Sequence, residues 1–309
     1  MRRVQVTPKR LVSRAKIDFS TLLRVVLLYL LVGLPAVYAQ GTQDAQALKA
    51  RYLALHEQLT NNPYQRPLYI ESSETSGRLA GDIYALVEQP FAALSSALVG
   101  IDHWCDILIL HLNVKSCRAS SSAGDTLSLN IGRKSDQPLG DTYQIDFLYQ
   151  VVVDTPDYLQ VMLNAEQGPL GTSNYRVKLE AVKLDDQRNF LHFSYSYHYG
   201  VAARMATQSY LATVGHNKVG FSIVGHQANG QPDYVGGIRG IVERNAMRYF
   251  LAIEAYLGAP APQQLEKRLS DWYAGIERYP LQLHNIERNE YLDMKRKEAQ
   301  AESSTPTAK

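Results

Sequence analysis

The sequence has few of the residues on which common metal and catalytic sites depend. Its 309 residues include only two cysteines and eight histidines. No two histidines have the spacing with which zinc proteases bind metal on one helix face, and no Cys/His quartet is present. No serine lies in a G-x-S-x-G motif. The sequence therefore predicts neither a metal nor a cofactor, and it identifies no set of catalytic residues.

Positive charge is scarce outside the N-terminal segment. Residues 1–39 carry seven Lys and Arg and one acidic residue, a net charge of +6, whereas the whole chain carries +2. The remaining residues therefore carry a net charge of −4. Such a mildly acidic body lacks the basic surface that binding to DNA or RNA requires, so no nucleic-acid partner is expected.

The apolar run at residues 25–36 is short for a membrane span, which takes roughly 20 residues. Basic residues precede it, Pro35 lies near its end, and Val37 and Ala39 place small residues where a signal peptidase reads. This pattern predicts a cleavable signal peptide, cut after Ala39, and hence a periplasmic or secreted protein. An uncleaved membrane anchor is the alternative.

The two cysteines, Cys105 and Cys117, lie close together in the sequence. In an oxidising compartment such a pair favours a disulfide, which would stabilise the fold by roughly 3 kcal/mol. The alternative is two buried free thiols. A disulfide would also exclude either cysteine as a nucleophile.

Alternating, aromatic-rich runs predict β-strands. We expect strands at residues 68–74, 78–87, 106–115, 125–134, 143–153, 158–165, 174–184 and 190–199. In the run at 143–153, the alternate positions from Tyr143 to Val153 are expected to share one face. Turn residues separate the later runs, and no helical pattern lies between them. The strands are therefore expected to form an antiparallel meander rather than a parallel α/β sheet.

One late helix is apolar on most sides. Apolar residues recur at helical spacing from Ile238 to Tyr256, and Gly258 ends the helix. A largely buried helix after an antiparallel sheet predicts an α+β fold in which a curved sheet wraps that helix. Other helices are expected at residues 44–59, 88–98, 201–214 (with Met205 on the apolar side) and 263–278, and polar residues beyond about 298 predict disorder.

The order of these elements resembles the START-like helix-grip (SRPBCC-type) superfamily, in which a curved sheet wraps a C-terminal helix. The stretch at 81–94 leads from a strand through Pro90 into a helix, Trp104 follows, and the long helix begins near Gly237. The stretch at 104–117 is also similar to uncharacterised exported bacterial proteins. Two features depart from the superfamily pattern: the segment 201–233 before the final helix, and the helices after residue 260.

With this resemblance, five regions are expected. They are a signal peptide (1–39), a satellite helix (40–65), a START-like helix-grip domain (66–258), a C-terminal helical extension (259–297) and a disordered tail (298–309).

Tyrosine is heavily used, with 20 residues against 7 Phe. Tyr195, Tyr197 and Tyr199 alternate in one strand, and we expect them to share a concave face with Phe147 and Tyr149. Tyrosines would give a cavity flat apolar walls and orienting hydroxyls. An ordinary aromatic core is the alternative, and the superfamily resemblance favours the cavity.

Two arginines lie within apolar sequence, Arg204 and Arg248, the latter next to Tyr249. Either arginine is a candidate to bind a ligand carboxylate or phosphate at the mouth of the cavity, and Tyr249 is a candidate wall residue. The alternative is a surface arginine, or one paired with Glu243 or Glu254.

These features together predict an exported, non-catalytic carrier of a hydrophobic or amphipathic small molecule, such as a lipid, held between sheet and helix. An enzyme on the same scaffold, with Asp146 or His198 as candidates, and an envelope interaction module that docks through the C-terminal helices are the alternatives. Peripheral membrane contact and the oligomeric state are left open.

Overall fold

A computed structural model describes residues 41–122, 124–213 and 215–303. The chain divides into two compact units, residues 1–43 and 44–309. Of the first unit only residues 41–43 are described, and they are helical. The predicted signal peptide lies outside the described residues. The sheet and the cavities belong to the second unit.

Eight antiparallel strands form one curved sheet. They are β1 (Leu68–Thr75), β2 (Arg78–Glu88), β3 (Val114–Ser120), β4 (Thr126–Ile131), β5 (Tyr143–Asp154), β6 (Tyr158–Gln167), β7 (Ser173–Lys183) and β8 (Arg188–His198). Their order across the sheet is β1-β2-β8-β7-β6-β5-β4-β3. The strands from β3 to β8 are therefore a simple meander, and β8 closes onto β2.

The helices surround this sheet. They are α1 (residues 44–54), α2 (His56–Thr60), α3 (Phe91–Leu98), α4 (Ile101–Leu108), α5 (Val201–Ala212), α6 (Gly237–Leu257), α7 (Leu265–Glu277), α8 (Pro280–Leu283) and α9 (Arg288–Ser303). A small hairpin of β9 (Ile223–His226) and β10 (Pro232–Tyr234) lies between α5 and α6.

The long helix α6 packs on the inner face of the sheet. It approaches β2 so closely at Gly81 that a Cβ there would lie 3.2 Å from the Val242 carbonyl oxygen and 3.3 Å from the Ala246 Cβ. Val242 and Ala246 are themselves fully buried. The predicted α+β helix-grip architecture, a curved antiparallel sheet against a long C-terminal helix, is therefore confirmed.

The two faces of the sheet bury separate cores. The inner face packs against α6 and α4, with residues such as Phe193 and Leu179 at its centre, and α7 joins the same core by packing on α6. The outer face packs against α1 and α2 through a smaller cluster that includes Leu48, Leu59 and Phe190. The period-2 alternation of the strands supplies apolar side chains to both faces at once.

The predicted strand at 106–115 is wrong. Helix α4 runs to Leu108, because Trp104, Ile107 and Leu108 fall on one helical face and are buried together. Strand β3 begins only at Val114. The confirmed disulfide between Cys105 and Cys117 joins α4 to β3 with the two Cα atoms 5.2 Å apart, inside the range that a disulfide spans.

Val153 does not share the inner face with the rest of β5. The register of β5 against β6 shifts between Val151 and Val153. A bulge inserts one residue and so reverses the direction of later side chains. Val153 consequently joins the outer core.

Two further expectations differ from the structure near the chain's later helices. In α5 the buried residue is Ala203, whereas Met205 is 62% exposed. Helix α9 continues to Ser303, so the first residues of the tail predicted to be disordered are helical.

No single helix within the described residues is both long and apolar enough for a membrane crossing; α3 and α4 satisfy length and composition only as a pair bent by 85°.

Candidate functional site

A cavity of about 380 Å3 lies between the inner face of the sheet, α5 and α6. Tyrosines form much of its wall: Tyr175, Tyr195, Tyr197, Tyr199, Tyr210 and Tyr249. We call it the tyrosine cavity. Its volume lies within the range of small-molecule sites.

The tyrosines are brought together by strand pairing. Tyr195 and Tyr197 lie on β8 and Tyr175 on the neighbouring β7. The Tyr175 and Tyr197 rings stack with centroids 5.2 Å apart, and Tyr249 of α6 contacts Tyr195 at 5.5 Å. Flat rings from two layers thus form a continuous apolar surface.

Three of these hydroxyls are left without a hydrogen-bond partner among the described residues: those of Tyr195, Tyr197 and Tyr249. Burial raises the pKa of each phenol, so all three stay protonated at neutral pH. Tyr175, by contrast, donates to Thr172 Oγ1 at 2.7 Å. The wall therefore offers hydroxyls that can orient a bound molecule.

Small residues on α5 leave the space open. Ala203, Ala206 and Thr207 line the cavity opposite the tyrosines. Arg204 of the same helix does not line it. Arg204 is exposed, its Nη2 donates to the Tyr199 hydroxyl at 3.2 Å, and its guanidinium lies 5.3 Å from that ring.

One end of the cavity is cationic. Lys134, Arg244 and Arg248 line it, and we call these three residues the cationic end. Both arginines are at most 2% exposed. Among the described residues none of the three forms an ion pair with a carboxylate. Each donates to a neutral oxygen: Lys134 to the Asn285 side chain (2.8 Å), Arg244 to the Val219 carbonyl (3.0 Å) and Arg248 to the Leu283 carbonyl (3.2 Å).

The pKa values of Lys134 and Arg248 are lowered at this end. Burial, and then the neighbouring cations, lower the pKa of Lys134 to about 6. Burial and the adjacent Arg244 lower the pKa of Arg248 as well. A buried cation with no anion beside it disfavours its own charged form.

Two buried donors at the same end have no partner within the described chain: Arg248 Nε and His111 Nε2. His111 Nδ1 accepts the Asn113 backbone N–H at 3.1 Å, so the proton of the neutral ring lies on Nε2. Burial keeps His111 neutral by holding its pKa well below the usual value. This end of the cavity therefore presents hydrogen-bond donors and lacks acceptors for them.

The structure brings together five of the eight predicted ligand residues. Tyr195, Tyr197, Tyr199, Arg248 and Tyr249 all line the tyrosine cavity. The other three are Phe147, Tyr149 and Arg204, which lie elsewhere.

Phe147 and Tyr149 do share the inner face, but at a different depth. Phe147 lines a separate apolar pocket of about 70 Å3. Tyr175 and Tyr195 line both this pocket and the tyrosine cavity. The Tyr149 hydroxyl accepts the Gly100 backbone N–H at 3.0 Å.

Sequence reasoning missed Tyr175, His111 and Lys134. Tyr175 alternates with charged residues in β7, a signal that was available. Lys134 follows β4 in an irregular segment, and no local pattern marks it as part of a site.

The largest cluster of titratable groups on the outer face is fully paired. His192 bonds to Asp82 and to Glu180, each at 2.9 Å, and Lys178 lies 2.6 Å from Glu180. Tyr84 stacks on His192 with centroids 4.3 Å apart. Hydrogen bonds from His192 and Lys178 overcome the effect of burial and lower the pKa of Glu180 to about 2. Because each charge has a partner and a ring covers the imidazole, this cluster is structural.

The groups suggested for an enzymatic alternative do not lie in the cavity. Asp146 is exposed and accepts from Ser128 at 2.6 Å, and His198 does not line the cavity. Within the described residues no group of three or more His, Cys, Asp or Glu is placed to hold a metal ion.

Comparison with known proteins gives similarity in structure only. No family model and no curated protein matches the sequence. A conserved protein from Geobacillus kaustophilus aligns at 14% identity with a TM-score of 0.35, covering 58% of this chain and 95% of that one. A START superfamily protein from Mycobacterium smegmatis aligns at 12% identity with a TM-score of 0.30, covering 44% of this chain and 90% of that one. An aromatase/cyclase from Streptomyces aligns at 10% identity with a TM-score of 0.30, covering 66% of this chain and 94% of that one.

One of these neighbours is named as a START superfamily protein. At such identities and TM-scores, the similarity carries no information about the ligand or reaction of this chain.

Proposed function

We propose that this protein is an exported, non-catalytic carrier of a hydrophobic or amphipathic small molecule, which it holds in the tyrosine cavity. The observation that carries the proposal is a cavity walled by stacked tyrosines, of which three hydroxyls have no hydrogen-bond partner among the described residues. Burial of apolar ligand surface would supply the driving force, at about 25 cal/mol per Å2. The free hydroxyls would orient the ligand.

A cavity-filling variant tests this proposal. Ala203 is buried and lines the cavity, whereas its neighbour Ala202 is exposed on the other side of α5. Isothermal titration with decanoate and with decanol should show binding to the wild type and to Ala202→Trp, and at least a tenfold loss in Ala203→Trp. Failure of both ligands to bind the wild type, or unchanged binding in Ala203→Trp, would contradict the proposal.

Export is supported by the disulfide between Cys105 and Cys117, because such bonds persist in oxidising compartments. Expression of the full chain in a bacterium with a periplasm, followed by osmotic shock and N-terminal sequencing, tests it. The expected product is periplasmic and begins at Gln40. A cytoplasmic product that retains residues 1–39 would argue against export.

A further inference from the structure

The cations at the cationic end of the cavity form no ion pair with a carboxylate of the described residues. Arg248 is 1% exposed and Arg244 2%, and Lys134 lies beside them. A buried cation that no carboxylate neutralises is costly to the folded state. Natural proteins keep such costs mainly where a bound ligand offsets them.

The nearest carboxylate is committed elsewhere. Glu243 Oε2 accepts the backbone N–H groups of Phe221 (2.6 Å) and Ser222 (2.9 Å), and Oε1 accepts the hydroxyls of Ser72 and Ser222. Glu243 therefore fixes the segment before β9 onto α6. Burial lowers the pKa of Arg244, an effect that the Glu243 charge only partly offsets, and Glu243 forms no ion pair with Arg244 or Arg248 within the described residues.

The C-terminal extension holds the cations without neutralising them. Three consecutive residues at the end of α8 provide acceptors: the Leu283 carbonyl for Arg248, the His284 carbonyl for Lys218 (2.7 Å) and the Asn285 amide oxygen for Lys134. Carbonyl and amide oxygens orient a cation but bring no charge. The extension that the superfamily pattern lacks thus orients two of the cations that line this end of the cavity.

Two donors remain for a guest molecule. Arg248 Nε–H and His111 Nε2–H are buried, lack any acceptor in the described chain, and belong to residues that line the cavity. The missing partner must accept at least two hydrogen bonds and carry negative charge. Carboxylates and phosphates meet both requirements.

We infer that the cationic end, together with His111, binds the carboxylate or phosphate head group of an amphipathic anion whose apolar part lies along the tyrosines. This inference rests on the proposed carrier function and sharpens it from hydrophobic molecules in general to organic anions.

Ligands that share a decyl chain but differ in head group test the inference separately from the proposed carrier function. Decanoate, decyl phosphate, decanol and inorganic phosphate are titrated into the purified full-length protein. We expect the two decyl anions to bind at least about tenfold more tightly than decanol, the gain from one charge-assisted hydrogen bond or more. Equal affinities for decanoate and decanol would overturn the inference and leave the carrier function standing.

Other outcomes of the same series are equally decisive. If none of the four ligands binds, the carrier function fails and the inference fails with it. If inorganic phosphate binds as tightly as decyl phosphate, the anion site is supported and the role of the tail is overturned.

A charge-removing variant assigns the effect to this end. Lys134→Gln is preferred to changes at fully buried Arg248, because Lys134 is only partly buried and its loss threatens folding less. We expect Lys134→Gln to weaken decanoate binding about tenfold and to change decanol binding less than twofold. Lys297→Gln, which removes an exposed lysine, is the matched control and should change neither. Equal losses for decanoate and decanol in Lys134→Gln would overturn the inference.

Discussion

Among the regions in which the described residues bury cations, two treat the charge in opposite ways. Where α9 meets β3, the side chains of Lys115 and Lys295 are each 1% exposed, and both pair with Glu298 at 3.0 and 2.8 Å. At the cationic end, Arg248 is equally buried, and no carboxylate of the described chain reaches it. Structural cations in this fold therefore have partners, and the exception marks a place where a partner from outside is expected.

The largest effect is expected from removing the shared partner in the paired region. Glu298→Gln would leave Lys115 and Lys295 buried without a counter-charge, and we expect the free energy of unfolding to fall by about 3–5 kcal/mol. Urea denaturation measures it. Glu290→Gln, at an exposed position of the same helix, should change stability by less than about 0.5 kcal/mol. A loss below about 1 kcal/mol in Glu298→Gln would remove the contrast between the two regions.

Acid should weaken the second paired cluster, in which His192 bonds to Asp82 and Glu180 on the outer face of the sheet. The pKa of Glu180 is lowered to about 2 and that of Asp82 is also lowered, so their contribution is present above about pH 4.5 and is lost as pH falls towards 2. The pKa of His192 is raised by its two carboxylate partners, so its contribution is present below about pH 6.5 and is lost as pH rises through the folded value. The cluster therefore stabilises most between about pH 4.5 and 6.5.

Stability measured against pH in His192→Gln tests this. The difference from the wild type should be largest in that window, about 3 kcal/mol, and should shrink on both sides. His226→Gln, an exposed substitution, provides the baseline. A difference that does not vary between pH 3 and 8 would contradict the ionic role of the cluster.

The unpaired region should show its charge through the pH dependence of binding. The charged groups acting on Lys134 are Arg244 and Arg248 from α6 and Lys218 from the segment before β9, all cations, and its pKa is lowered to about 6. A bound carboxylate would favour the protonated amine, so binding should take up a proton above pH 6. Decanoate affinity should fall by about tenfold from pH 6 to 8 in the wild type and stay level in Lys134→Gln. A level profile in both proteins would contradict this coupling.

The smallest effect distinguishes the regions most directly. Removing an unpaired, partly buried cation should relieve a desolvation cost, so we expect Lys134→Met to raise the free energy of unfolding of the unliganded protein by about 1 kcal/mol. Lys297→Met serves as the exposed control. Destabilisation of Lys134→Met by more than about 1 kcal/mol would show that Lys134 serves the fold rather than a ligand.

Local periodicity predicted much of the site. The alternation of Tyr195, Tyr197 and Tyr199 placed three wall residues correctly, because side chains two apart in a strand share a face. The apolar surroundings of Arg248 singled it out as a ligand-binding candidate at the mouth of a cavity, and the structure buries it in the cavity wall. The same reasoning put Phe147 and Tyr149 on the right face but could not give their depth, which depends on where α4 and α5 cover the sheet.

Two of the residues that sequence reasoning missed come from segments without periodicity. His111 and Lys134 lie in connections on either side of β3 and β4, more than 100 residues before Arg248 in the chain, and only the folded sheet brings them to α6. The acceptors of Lys134 and Arg248, on Asn285 and Leu283, come from the C-terminal extension. The boundary error at 106–115 arose because a short apolar run fits a strand and a buried helix equally well.

The sequence by itself determined the antiparallel strands, the buried helix α6, the disulfide pair and a tyrosine-rich face, because each depends on spacing between near neighbours. Only the tertiary structure decided that a cavity remains beneath those tyrosines, and that the cations lining it have no carboxylate partner among the described residues. Both properties depend on which distant side chains meet in three dimensions, and local spacing carries no record of that.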